Sequence, residues 1–196
     1  MLKRLFDIIF SALGLIILLP FMLLIAVFIG LTSKGGVFYR QERVGKLGKK
    51  FKLYKFRTMK SDSDKLGLLT VGGRDQRITS IGYYLRKYKL DEFPQLLNVL
   101  FGTMSIVGPR PEVRKYVDLY TDDQKKVLNV KPGITDYASL EYFSENDLLA
   151  KSSNPEETYI KEILPAKLAL NKKYISEAGL ITDIKVILRT LAKIVS

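Results

Sequence analysis

The run "IIFSALGLIILLPFMLLIAVFIGLTS", residues 8–33, contains no charged side chain and constrains this chain more than any other stretch. A helix rises about 1.5 Å per residue, so a run of this length reaches across a hydrocarbon core of roughly 30 Å. A membrane segment is expected. A secretory signal fits poorly, because the apolar stretch is too long and no small-x-small cleavage site precedes the return of polar sequence. Lys3 and Arg4 come before the run, and Lys34, Arg40, Arg43, Lys46, Lys49 and Lys50 after it. Both flanks favour the cytoplasmic side, so a straight span strands one of them outside. Pro20 lies near the middle, with no N–H to give the carbonyl of Ile16 and a ring that crowds the turn before it, so a kink is expected there. A bent segment that enters and leaves through one leaflet keeps both flanks in the cytoplasm. A kinked spanning anchor is the alternative, since proline is tolerated in membrane helices.

With 196 residues and 47% hydrophobic content, the chain has enough sequence for one globular unit beyond the membrane segment. It has no cysteine and no histidine. The first absence excludes disulfides, zinc–thiolate sites and cysteine nucleophiles, and fits a reducing compartment. The second removes the commonest general base and transition-metal ligand, leaving Asp, Glu, Lys, Tyr and hydroxyls for chemistry. Any metal is then a hard, oxygen-bound ion such as Mg2+. An excess of 32 Lys and Arg over 20 Asp and Glu calls for an anionic partner: nucleic acid, an anionic lipid bilayer or phosphorylated substrates.

After the membrane segment, residues 37–59 read as two extended runs around Gly45 and Gly48, a hairpin with rows of Lys and Arg. Residues 60–77 read as a long loop beside a site. "TSIGYYLRKYKL" sets Ile81, Tyr84, Leu85 and Tyr88 at helical spacing. A further helix is expected from about Asp91 to Phe101, with Pro94 in its first turn and Gly102 ending it. In "SIVGPRPE", prolines on both sides of Arg110 stiffen its backbone. "TDDQ" is a capping-box pattern and "KPGIT" a turn. "SNPEE" opens a helix that Pro165 bends and Gly179 ends. The last segment is a basic amphipathic helix with Ile184, Ile187, Leu188, Leu191, Ile194 and Val195 on one stripe, suited to the core or to an anionic lipid surface. There is no internal repeat and no low-complexity linker. The fold class expected is α+β, mostly helical, with a short β-hairpin and amphipathic surface helices on a membrane-associated domain.

Asp91 and Glu92 stand side by side amid this basic sequence. As structure, they suit a helix start, where aspartate caps and glutamate meets the dipole. As chemistry, a helix N-terminus and nearby Arg86 keep the carboxylate ionised, able to bind Mg2+ or attack phosphorus as an aspartate nucleophile. An anion attacking an anionic diphosphate needs its repulsion offset by a metal and a guanidinium clamp, for which Arg86, Arg110, Lys55 and Arg57 are candidates.

Taken together, "KRLFDII" before a proline-centred apolar segment, "VFYRQERVGK", "FKLYKFRTM", "LRKYKLDEFPQLLNVLFGTMSIVGPRPE" and "KPGIT" resemble the bacterial sugar transferase superfamily, the monotopic phosphoglycosyl transferases. The resemblance covers most of residues 1–135 and, by chain length, is nearest to the small-form members. It implies a re-entrant membrane helix over residues 1–34 and a catalytic domain over 35–196 at the cytoplasmic face of the bacterial inner membrane. It implies transfer of a phospho-sugar from a UDP-sugar to a polyprenol phosphate such as undecaprenyl phosphate, with release of UMP, as a first membrane step in glycoconjugate or N-linked glycan assembly. Asp91 is then the nucleophile that carries the phospho-sugar, Glu92 its partner near Mg2+, and Arg110 and Arg86 anion contacts. Diacetylbacillosamine as the sugar is implied only by similarity to the small-form members. Two departures stand out: Leu19 precedes Pro20 where many members have serine, and Thr103 follows Gly102 where many have aspartate. Residues beyond about 140 carry little of the family signature, and the oligomeric state is open. The competing reading is a membrane-anchored basic module that binds nucleic acid or anionic lipid without catalysis. It gives no reason for the two carboxylates, and no nucleic-acid partner is expected.

Overall fold

A computed structural model describes residues 2–61, 63, 67, 69–72 and 75–195. The apolar run forms helix α1, Leu2–Thr32, continuous through Pro20. Among the described residues it is the one helix long and apolar enough to cross a membrane. It does not stand clear of the rest of the protein. A stripe containing Asp7, Ser11, Leu18, Met22 and Ile29, spaced by whole helical turns, packs on the globular body along the full length. At the N-terminal end Lys3 forms an ion pair with buried Asp183, and Arg4 donates to the carbonyls of Val99 (2.6 Å) and Leu100 (2.9 Å). Asp7 accepts from Ser105 Oγ and Ile106 N, each at 3.0 Å. At the other end Ile29 and Met22 join Phe56 and Leu85 in a core. The opposite faces, including Ile16, Ile17, Phe21 and Leu24, are exposed.

Strands β1 (Phe38–Val44) and β2 (Lys50–Phe56) form the expected hairpin, antiparallel with Phe38 opposite Phe56. Of the loop expected over 60–77, residues 62, 64–66, 68, 73 and 74 lie outside the described residues; an isolated bridge between Met59 and Ile78 closes its two ends. Helix α2 (Ser80–Lys87) is capped by Thr79, whose hydroxyl accepts from Gly82 N at 3.0 Å. Its apolar spacing divides: Leu85 is buried and Ile81 packs beside it, whereas Tyr84 and Tyr88 face outward.

The helix expected from Asp91 is split. Leu90–Glu92 is one 3-10 turn, and helix α3 spans only Gln95–Leu100. Pro94 has no N–H to give the Leu90 carbonyl, so Phe93 N takes it at 3.3 Å in the tighter i to i+3 pattern. Asp91 is therefore no helix cap. Asn98 of α3 fastens this segment to the hairpin, accepting from Tyr54 N (2.9 Å) and donating to Lys52 O (2.8 Å) as a neighbouring strand would. Gly102, at φ +85°, ends the segment as expected.

"KPGIT", expected as a turn, contains strand β4 (Gly133–Thr135), parallel to β3 (Ser105–Val107). Between the two strands lie the short helix α4 (Arg114–Val117) and the Thr121–Gln124 capping box, which closes with Thr121 N to Gln124 Oε1 at 2.9 Å. Short helices α5 (Tyr137–Glu141), α6 (Glu145–Ala150) and α7 (Pro155–Thr158) follow, the last capped by Asn154. A π-turn, Tyr159–Ile163, leads into α8 (Leu164–Ser176), with Pro165 in its first turn. Tyr159, Leu164 and Leu168 build the main core with Tyr116 and Val113. Gly179 does not end α8: its carbonyl instead accepts from Asp183 N in the first turn of α9 (Leu180–Val195). Helix α9 buries Val186 against Val107 and Tyr174, while Ile181, Leu188, Leu191 and Val195 remain exposed.

Candidate active site

Asp91 and Glu92 arrive at the centre of the molecule on the 3-10 turn, and different elements bring cations to meet them. Strand β2 presents Lys55, the C-terminal turn of α2 presents Arg86, and the Pro109–Arg110–Pro111 turn after β3 presents Arg110. Glu92 accepts from Lys55 Nζ at 2.9 Å and from both terminal nitrogens of Arg110, one of them at 3.2 Å. Against burial, which pushes it up, Arg110 and Lys55 hold the Glu92 carboxyl well below the usual range. Glu92 in turn raises Arg110, while burial lowers Lys55.

Asp91 is different. It is 6% exposed, and no described side chain or backbone N–H donates to its carboxylate within hydrogen-bond distance. Burial pushes its carboxyl up, and Lys55, Arg86 and Lys89 only partly offset this, with Glu92 adding repulsion. The expectation that a helix cap and Arg86 would stabilise its ionised form is therefore corrected in direction. There is no cap, and burial outweighs the cations.

Asp91 sits where two cavities meet. One, of about 220 Å³, is polar and lined by Arg43, Lys55, Arg57, Arg77, Arg86 and Arg110. The other, of about 360 Å³, is largely apolar, running between Leu18 of α1, Phe93, Leu96, Ile106, Ile134 and the Ile187, Leu191 and Ile194 face of α9. Of the residues expected at the site, Asp91, Glu92, Lys55, Arg86 and Arg110 converge there. Arg86 donates to Thr70 Oγ1 at 2.9 Å. Arg57 lies on the polar cavity wall, but it donates to the carbonyls of Gly36 (2.9 Å) and Phe38 (3.3 Å) and so ties the end of α1 to the hairpin. Pro20 is not among the residues lining either cavity.

A second network, built from residues far apart in the chain and without a local signal, backs the polar cavity. Glu112 accepts from Tyr159 Oη at 2.5 Å and from Arg43 at 3.4 Å, and Lys167 joins Glu145 at 2.7 Å. Burial pushes Glu112 up, but Lys167 and Arg43 together bring it below its ordinary value. Tyr159, Lys167 and Glu145 all lie beyond residue 140, where the sequence carries little of the family signature. Lys89 was likewise missed: it holds a left-handed φ of +56°, costing about 1 kcal/mol for a residue with a side chain, and its ammonium lies 4.8 Å from the Phe143 ring centre. Among the described residues, no three acidic groups gather as a metal cage.

Buried carboxylates ringed by cations, one of them without a hydrogen-bond donor among the described residues, suit a reaction at a polyanionic centre. The comparisons agree. The chain matches the bacterial sugar transferase family across residues 1–196. It is 45% identical over 133 residues, 68% of this chain and 70% of the relative, to a Bacillus subtilis protein provisionally named undecaprenyl-phosphate N-acetylgalactosaminyl 1-phosphate transferase. It is 37% identical to a Klebsiella pneumoniae UDP-glucose:undecaprenyl-phosphate glucose-1-phosphate transferase, covering 97% of this chain and 39% of that one. It is 35% identical to the exopolysaccharide production protein PSS of Rhizobium leguminosarum, covering 97% of this chain and 93% of that one. The chain thus spans about two fifths of the Klebsiella relative and nearly all of the Rhizobium one. By its sequence over the whole length and by the site that sequence builds, the chain belongs to the bacterial sugar transferase family.

Proposed function

We propose that this protein is a phosphoglycosyl transferase that moves a phospho-sugar from a UDP-sugar to undecaprenyl phosphate through a covalent intermediate on Asp91. The observation that carries the reading is the position of Asp91, a carboxylate with no hydrogen bond from the described residues, at the junction of a basic polar cavity and an apolar groove. The first suits a nucleotide diphosphate and the second an isoprenoid chain. A membrane-anchored basic module has no use for two carboxylates enclosed at the centre of its charge.

In the first half-reaction an Asp91 carboxylate oxygen attacks the sugar-side phosphorus. The bond from that phosphorus to the bridging oxygen breaks, and UMP leaves with the electron pair. In the second, a phosphate oxygen of the acceptor attacks the same phosphorus and the Asp91 carboxylate is restored. Desolvation raises the energy of the ionised nucleophile, so its environment drives it toward bond formation. Glu92 positions Lys55 and Arg110 rather than reacting, because its oxygens already accept from both. Mg2+ fits a carboxylate that has no hydrogen-bond donor among the described residues, since it is commonly held by one or two carboxylates together with substrate phosphates. Asp91 would hold it, and its charge would neutralise the diphosphate.

The re-entrant arrangement belongs to the same proposal. Because α1 keeps one stripe on the globular body from Lys3 to Ile29, its ends stay on the side of that body while its exposed apolar faces meet one leaflet. The cytoplasmic side follows from the basic flanks. Relatives named for glucose and N-acetylgalactosamine make UDP-glucose and UDP-N-acetylgalactosamine the first donors to screen, ahead of diacetylbacillosamine.

Purified protein given radiolabelled UDP-sugar and Mg2+ without acceptor should release UMP and retain label, and Asp91→Asn should do neither. Substantial turnover by Asp91→Asn would remove the aspartyl intermediate.

A further inference from the structure

We propose that Lys89 binds the phosphate of the lipid acceptor, so that donor and acceptor are held by different cations on either side of Asp91. This rests on the reading above, in which the apolar groove takes an isoprenoid phosphate.

The groove shares all but one of its described cations with the polar cavity. Lys55, Arg86, Arg110 and Lys167 line both, and Lys89 is the one described cation that lines the groove alone. The shared four are already committed: Lys55 and Arg110 to Glu92, Lys167 to Glu145, and Arg86 to Thr70. Lys89 has no hydrogen bond or ion pair from its ammonium among the described residues and lies over Phe143 instead. Burial also lowers its pKa. Asp91 and Glu92 act on it from a distance, but a largely desolvated ammonium with an aromatic face on one side and no directly paired anion is prepared for one to arrive.

Its backbone explains why it points at this opening. Lys89 N donates to Arg86 O and Lys89 O accepts from Glu92 N, each at 3.2 Å, so the residue is the pivot between α2 and the turn that carries Asp91. A glycine would adopt its left-handed φ without steric cost, whereas lysine accepts that cost and brings a charge.

That charge answers a need of the second half-reaction. The acceptor is a phosphate monoester, largely dianionic at neutral pH, and it must approach a phosphorus that already bears negative charge. The new bond runs from an acceptor oxygen to that phosphorus, and the Asp91–phosphorus bond breaks with its pair returning to the carboxylate. No proton has to be removed from the dianion. What is required is a cation on the groove side, and Lys89 is the one not otherwise engaged.

Glycine at position 89 makes a clean test, because it removes the ammonium and relieves the backbone together. With undecaprenyl phosphate in detergent micelles, Lys89→Gly should raise the acceptor KM about tenfold or more and leave the UDP-sugar KM within about twofold. Lys89→Arg should restore the acceptor KM to within about threefold of wild type. A thermal midpoint no lower than wild type in Lys89→Gly excludes misfolding as the cause. An unchanged acceptor KM in Lys89→Gly, or equal rises in both KM values, overturns the assignment. A wild-type protein that releases no UMP from any UDP-sugar overturns the transferase reading, and this one with it.

Discussion

Glu92 accepts from Lys55 and Arg110, whereas Asp91, one residue earlier and as deeply enclosed, accepts from neither. The two carboxyls are consequently displaced in opposite directions, Glu92 below its ordinary 4.5 and Asp91 above its ordinary 3.8. A depressed carboxyl contributes stability above its unfolded value, and the contribution is lost as pH falls through the folded value. A raised one does the reverse: ionised Asp91 costs stability once pH has passed its folded value, and the cost vanishes on acidification toward 3.8. At pH 7, Asp91→Asn should therefore move the thermal midpoint upward by a few degrees while abolishing transfer, with the gain shrinking as pH approaches 4. Glu92→Gln should lower stability by about 2–3 kcal/mol, since it strands two cations, one of them only partly buried. Calorimetry of both variants between pH 4 and 8 would show this. If both variants shift the midpoint in the same direction at pH 7, the account of Asp91 is wrong. Sequence alone displayed the pair and the nearby cations, but not their difference. Local rules make Asp91 a cap, and only Pro94 together with the tertiary packing replaces the cap with an enclosed turn.

At the scale of elements, the site depends on a backbone crossing between β3 and β4. Gly133 N donates to Pro109 O and Gly108 N to Thr135 O, both at 3.0 Å, so the turn carrying Arg110 is tied directly to β4. The chains approach so closely that a Cβ on Gly133 would lie 2.1 Å from Gly108 N. Gly133→Ala should force them apart, costing about 1–3 kcal/mol by overpacking. It should also draw Arg110 away from Glu92, lowering transfer by an order of magnitude or more even at temperatures where the variant is folded. Wild-type turnover in a folded Gly133→Ala would show that the Arg110 turn does not depend on this crossing. The crossing explains "GPRP" and "KPG" as one device, yet it was not legible in the sequence. Each strand is three residues long, too short for an alternating pattern, and their pairing is settled only in the folded chain. The hairpin, α2, the Thr121–Gln124 box and the amphipathic α9 were legible because their signals are local. The Glu112–Tyr159 and Glu145–Lys167 contacts were not, because each joins residues far apart in sequence.

At the scale of the whole molecule, the question is how a helix about 46 Å long can be apolar enough to span a bilayer and still lie against a globular body. The basic flanks and Pro20 raised re-entry in the sequence, and the packing adds an independent argument. Lys3 meets Asp183 near one end, Asp7 is enclosed with Ser105, and Ile29 is buried beside Phe56 near the other. Spanning would require one of these ends to leave its partners, exposing Asp7 or Ile29 on the far side of the membrane. Burying Asp7 in lipid without its donors would be costly, so the docked arrangement is the one a bilayer should preserve. The absence of native cysteine makes the test direct. Single variants Leu2→Cys at the start of α1 and Lys125→Cys on the globular body should both react with a membrane-impermeant maleimide only after the cells are permeabilised. Ile16→Cys, on an exposed apolar face of α1, should resist the reagent in either state. Labelling of Leu2→Cys in intact cells, with Lys125→Cys protected, would place the two ends on opposite sides. The docking of α1 would then have to come apart in the membrane, and the groove beside Leu18 that leads to Asp91 would lose one of its walls.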